Sequence, residues 1–168
     1  VQNAKIGSLK SHSVFITDID NTKTFAWNNK SLIKDEKESF TIEMNLIPTQ
    51  SKMEALVGLR ENAAVSPNYS DDFKTMGIIF RFGVSGKIEY FTERGYVSDN
   101  SLSYQALKSY KVQLDVNVRD KVYDMYITAT GSTKKTIFKN NPFRNNNLSA
   151  IGHISMIAYY GADVILKD

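Results

Sequence analysis

Between Ser109 and Ala129 the sequence reads SYKVQLDVNVRDKVYDMYITA. Gln113, Asp115 and Asn117 recur at every second position, and Asp124 and Tyr126 resume the pattern after Asp120-Lys121. Side chains two apart on an extended chain share a face. A carboxylate between two amides, with a second carboxylate and a phenol beside it, is a set of planar donors and acceptors. Such a set can clasp adjacent hydroxyl groups or simply meet water. Arg81 alternates with Phe80 and Phe82, and Glu89 with Ile88 and Tyr90, adding a guanidinium and a third carboxylate of the same outward sense. If these strands neighbour one another, all of these groups occupy one shallow area.

The elements that must carry them are strands. Tyr110, Val112, Leu114, Val116 and Val118 alternate with the polar positions, as do Tyr123, Met125, Ile127 and Ala129. A two-residue turn at Asp120-Lys121 predicts core pairs Val118/Tyr123, Val116/Met125 and Leu114/Ile127. The outward pairs are then Asn117/Asp124, Asp115/Tyr126 and Gln113/Thr128. The same period recurs in Phe40–Leu46, in Ala55–Leu59, in Met76–Phe82 and in Ile88–Tyr90 after the turn GVSG. Shorter strands are expected at Ser13–Thr17, Thr24–Trp27 and Thr136–Phe138, with a last apolar block over Ile151–Leu166. Lys34–Glu38 reads as a charged turn. Ten or more short strands without a crossover helix predict an all-β antiparallel two-sheet sandwich of the jelly-roll type, with its terminal strands close together.

The 168 residues suit one domain, and residues 1–168 show neither internal repeat nor linker. A hydrophobic content of 42% is a globular value and excludes a disordered chain. No apolar run is long enough for a membrane helix, so no membrane insertion is expected. The absence of cysteine removes disulfides and thiol chemistry. The net charge of +3 is spread along the chain instead of gathered beside stacking aromatics, which argues against a nucleic-acid partner.

The succession FTIEMNLIP, ALVGLRENA, MGIIFRFGVSGKIEYF, RGY, SYKVQLDVNVRDKVYDMYITATG and NPFR resembles the concanavalin A/laminin-G-like jelly rolls of carbohydrate-binding modules that accompany bacterial polysaccharide-degrading enzymes. The resemblance runs from about Phe40 to Arg144. It implies a secreted or cell-surface bacterial setting, a polysaccharide or oligosaccharide ligand, and attachment to catalytic or scaffold domains of a larger protein.

Sugars are held by flat aromatic faces and by planar polar groups. The outward groups above are the polar candidates. The aromatic candidates lie in expected loops: Tyr69, Phe73, Tyr96, Tyr104, Tyr159-Tyr160, and Trp27 before NNKS, which either caps a binding groove or closes one end of the core. Arg144 in NPFRNNN either braces its loop or reaches ligand, while Phe143 is expected to plug the sandwich. TDIDNT supplies Asp18 and Asp20, which Asp163 can join, for a structural calcium; an Asx-capped turn explains the same residues, and the spacing is not that of an EF-hand.

No residues are assigned a catalytic role. The alternating carboxylates of a retaining jelly-roll glucanase and the Q-x-H of an alginate lyase are both missing, and His12 and His153 have no partnered nucleophile. The leading expectation is a non-catalytic carbohydrate-binding module. A structural or protein-interaction sandwich is the alternative, and a lyase or glycosidase of the same fold is a third reading.

Overall fold

The computed structural model describes residues 2–3, 13–14, 25–62, 74–99, 102–159 and 164–167. Asp18, Asp20, Asp163, Tyr69, Phe73 and Tyr160 lie outside these residues, and of Trp27 and Tyr159 only the backbone is described. The strands are β1 (Gln2–Asn3), β2 (Ser13–Val14), β3 (Phe25–Glu36), β4 (Ser39–Pro48), β5 (Ala55–Arg60), β6 (Met76–Phe82), β7 (Ile88–Thr92), β8 (Gly95–Val97), β9 (Tyr110–Asn117), β10 (Val122–Ala129), β11 (Lys135–Pro142), β12 (Ile151–Tyr159) and β13 (Val164–Lys167).

They form two sheets. One has seven strands in the order β11-β10-β9-β4-β13-β2, with β1 pairing in parallel on β4; the other has six in the order β3-β12-β5-β6-β7-β8. The terminal strands lie near each other, since β1 and β13 both pair with β4. The alternation explains the shared core. Phe40, Ile42, Met44 and Leu46 of β4, Val112, Leu114 and Val116 of β9, and Tyr123, Met125 and Ile127 of β10 point inward. They meet Val57 and Leu59 of β5, Ile78, Phe80 and Phe82 of β6, and Ile154 and Met156 of β12. At about 1.5–3 kcal/mol for each large apolar side chain removed from water, a one-residue slip of the β9–β10 hairpin would forfeit on the order of 10 kcal/mol. This cost fixes which face is outward.

The pairing register differs from the expected one by two residues. Val116 lies opposite Tyr123, Leu114 opposite Met125 and Val112 opposite Ile127. The turn spans four residues, because Val118 is drawn into the core at 1% exposure and its amide donates to the Glu38 carbonyl at 3.3 Å. Asn117 closes the turn: its Oδ1 accepts from the Asp120 amide at 3.0 Å, and its Nδ2 donates to the Asp120 carboxylate at 2.7 Å. Lys121 takes the left-handed conformation, φ 58°, that brings the chain back. A slip of two preserves faces, so the outward set survives with new partners.

The middle of the six-stranded sheet, β5 and most of β6, is buried on both sides. Every residue of β5 is buried, and its outward Leu56 packs with Met76, Ile79 and Ile157 in a second apolar cluster against Phe91 and Tyr96. Strands of this kind read as unbroken apolar runs, as ALVGL and MGIIF do. Two expected boundaries also move. β3 runs through Asn28 and Asn29 to Glu36, so Trp27 stands inside a strand opposite Ile157 and not at its end before a loop. Glu36 is buried within this strand, which reduces the expected Lys34–Glu38 turn to Lys37-Glu38. Among the described residues no helix is long and apolar enough to cross a membrane.

Candidate functional site

The outward residues expected to share one face divide between the two sheets. β6 and β7, which carry Arg81 and Glu89, belong to the six-stranded sheet; Gln113, Asp115, Asn117, Asp124 and Tyr126 belong to the seven-stranded one. Alternation assigns a side chain to a face but not a strand to a sheet, which is why the two groups could not be told apart.

Arg81 and Glu89 are bound to each other. The Arg81 Nε donates to Glu89 Oε2 at 2.6 Å and a terminal nitrogen donates to Glu54 Oε1 at 2.7 Å. The second Glu89 oxygen accepts from the Ser85 hydroxyl at 2.7 Å. The guanidinium carbon lies 3.7 Å from the centre of the Tyr96 ring, and Phe91 meets that ring edge-on at 5.2 Å. Arg81 and Tyr96 are thus turned toward each other inside one half-buried network, where a planar cation and an aromatic face satisfy each other.

On the seven-stranded sheet the outward rows cross three strands. Thr41, Asp115 and Asp124 form one row; Glu43, Gln113 and Tyr126 form the next; Ser39 and Asn117 lie beyond Thr41 and Asp115. Asp115 and Asp124 are directly opposite, an arrangement that costs about 0.2–1 kcal/mol when uncompensated. Each is held by its own donors. Asp115 Oδ1 accepts from the Thr41 hydroxyl at 2.8 Å and the Gln113 amide at 2.9 Å. Asp124 Oδ1 accepts from the Asn140 backbone amide at 2.8 Å, and Oδ2 from the Lys139 ammonium at 2.7 Å. Burial alone would raise the Asp124 carboxyl, but the Lys139 and Asn140 hydrogen bonds together outweigh it and hold the group below the usual aspartate range. The Lys139 ammonium is correspondingly raised by its bond to Asp124 and by a second, short one to the Tyr126 hydroxyl.

Asn140 was not anticipated as a site residue. It sits where the β10–β11 ladder shifts register, with φ 53°, and this left-handed turn aims its amide at Asp124. Its signal was present in the asparagine run KNNPF, since Asn is among the few residues that tolerate this conformation. Ser39 and Thr41 were also missed, because pairing between β4 and β9 joins segments some seventy residues apart.

The result is a pocket of about 220 Å³ at the turn end of the hairpin. Its polar lining is Ser39, Asp115, Asn117, Asp124 and Asn140. Tyr126 lies one row away, and its ring is approached by the Lys135 and Lys139 ammonium groups at 4.1 and 4.7 Å from its centre. The aromatic is already engaged with cations, so the concavity offers hydrogen-bonding groups more than a stacking face.

The remaining candidates are elsewhere. Arg144 donates its backbone amide to the Gly77 carbonyl at 2.7 Å, and its guanidinium carbon lies 5.2 Å from the centre of the Phe91 ring. It lines a smaller pocket of about 130 Å³ with Phe91, Glu93, Phe143 and Asn146. Phe143 is buried, as expected of a plug. Tyr104, expected in a loop, is a core residue whose hydroxyl accepts from the Met53 amide and donates to the Gly83 carbonyl, both at 2.9 Å. His153 is half-buried, with Nδ1 3.1 Å from the Glu61 carbonyl. Among the described residues no three His, Asp or Glu side chains gather as metal ligands would.

With this geometry the chain can be set beside solved structures. Peanut lectin, in a complex with a nonapeptide, superposes with a TM-score of 0.64 at 8% identity, covering 98% of this chain and 86% of the lectin. Lectin I from Ulex europaeus, in complex with the methyl glycoside of α-L-fucose, gives 0.61 at 8%, covering 98% and 87%. A sialidase gives 0.58 at 14%; the match covers 98% of this chain, which spans only 16% of the sialidase's length. No protein-family model matches the chain, and no curated protein matches its sequence. At these identities the likeness defines the class by fold: an all-β, lectin-like jelly-roll sandwich.

Proposed function

We propose that this chain is a non-catalytic carbohydrate-binding module and that the pocket at the turn end of β9–β10 holds the sugar. The observation that carries the reading is convergence: Asp115, Asn117 and Asp124, expected from spacing alone as outward polar groups, line one concavity together with Ser39 and Asn140. Adjacent sugar hydroxyls are matched by carboxylates and amides whose positions are already fixed by other hydrogen bonds, so little ordering cost remains at binding. The volume is below the roughly 300–1,000 Å³ of drug-sized sites, which suits one ring or a chain end. The lectin-like fold and the complex of lectin I with a fucoside support a sugar ligand. Coverage of a small part of a sialidase supports a modular role beside other domains.

The test is isothermal titration or affinity electrophoresis against a panel of neutral, acidic and amino polysaccharides, on wild type and on Asp115→Ala with Asn117→Ala. Binding in the wild type and its loss in a double variant of unchanged melting temperature supports the reading. Inertness toward the whole panel, or binding that survives the substitutions, contradicts it. Repeating the titration with a chelator tests the calcium expected at Asp18, Asp20 and Asp163.

A further inference from the structure

The charge inside the pocket narrows the ligand. We propose that the pocket selects a protonated amino sugar, a ring bearing a free ammonium group, and that Asp115 is its counter-ion; this rests on the pocket being the sugar site. No lysine, arginine or histidine lines the concavity, while two carboxylates do. The two differ in how they are answered. Asp124 has a cation at 2.7 Å in Lys139. Asp115 accepts only from the neutral Thr41 hydroxyl and Gln113 amide, both on one oxygen. Among the described residues the row Thr41–Asp115–Asp124 with Lys139 therefore carries one uncompensated negative charge, and it sits on the pocket wall.

An ionised carboxylate offers about four lone-pair positions, of which Asp115 uses two. An ammonium brings three donors and no acceptor, and it meets an acceptor here in the second oxygen of Asp115, with Ser39, Asn117 and Asn140 on the same lining. A neutral sugar leaves the charge unanswered, and an acidic sugar places like charges together in a partly desolvated site. Calcium is a poorer match, since it takes six to eight oxygens at close range and the described residues gather no third acidic or histidine ligand here.

The experiment compares the β-1,4-linked glucosamine tetramer with its fully N-acetylated counterpart and with an oligogalacturonate, by calorimetric titration at pH 6 and low salt. The expected result is a preference of about ten-fold or more for the free amine. That preference should be abolished in Asp115→Asn, whose amide oxygen can still accept from Thr41 and Gln113 and so keeps the fold. It should also weaken as the pH rises and the amine loses its proton. If Asp115→Asn fails to fold, the salt dependence of wild-type binding takes its place: the preference should shrink as salt screens Asp115, and a preference indifferent to salt overturns the counter-ion. Equal binding of the acetylated tetramer, lost in Asp115→Ala with Asn117→Ala, overturns the amino-sugar inference and leaves the pocket as the sugar site. Amine preference that persists in Asp115→Asn, or binding that requires calcium, overturns the assigned counter-ion. No binding of any of the three overturns the inference, and inertness across the wider panel overturns the pocket reading with it.

Discussion

Arg81→Met separates a ligand-binding arginine from a bracing one. The substitution keeps an unbranched aliphatic stem but removes the guanidinium that lies over Tyr96, and with it both donors that meet Glu89 and Glu54. Glu89, a buried residue at 9% exposure, is then left with the Ser85 hydroxyl. Removing one partner of a buried pair costs about 3–5 kcal/mol, because the other charge stays desolvated. Water reaches this network, with side-chain exposures of 18% for Arg81, 12% for Glu89 and 32% for Glu54, so part of that penalty is screened. About 2–4 kcal/mol remains, which for a chain of this size lowers Tm by roughly 4–16 °C. Urea denaturation followed by circular dichroism at pH 7 reads the loss, and sugar affinity by calorimetry should not change. Adding Glu89→Gln should recover at least about half, since the stranded charge is gone. Unchanged stability, or lost sugar binding at an unchanged Tm, refutes the reasoning and makes Arg81 a ligand residue.

Gly83→Ala should act on the same network. An added Cβ would stand 2.7 Å from Glu89 Oε2, so the variant should be destabilised alone and much less so on top of Arg81→Met; an additive double-mutant cycle counts against the coupling. Tyr104→Phe strands the Met53 amide and the Gly83 carbonyl in the core, and thermal melting should show a loss of about 1–3 kcal/mol. Asp124 has a native carboxyl below its ordinary value, so it stabilises the fold fully above about pH 4 and less as the pH falls through its lowered native value. Asp124→Asn should therefore lose less stability than wild type between about pH 5 and pH 2; parallel acid slopes would argue against this.

The faces of the strands were legible in the residues, while their neighbours were not. In TIEMNL and KVQLDVN the period of two survives because one side meets the core and the other meets water, so the outward sense of Asp115 and Asn117 is readable from the sequence alone. In ALVGLR the outward Leu56 is as buried as the inward Val57, and alternation carries no information there. Gly58 leaves room for Met76 to cross, since a Cβ on it would fall 2.2 Å from the Met76 sulfur. The hairpin register failed because Val118 reads equally well as the last residue of a strand and as the first of a longer turn; its contact with the Glu38 carbonyl decides, and that contact is long-range. The same holds for the pocket. Three of its five polar residues come from one readable hairpin, whereas Ser39 and Asn140 arrive through pairing of β4 with β9 and of β11 with β10.

The most direct test of the central claim is an amide ¹H–¹⁵N titration of the chain with the glucosamine tetramer, with its acetylated form alongside. The account predicts that the largest shifts fall on Ser39, Asp115, Asn117, Asp124 and Asn140, while Arg81, Glu89 and Tyr96 stay in place. Shifts centred on Phe91, Arg144 and Asn146, or none with either tetramer, would contradict it.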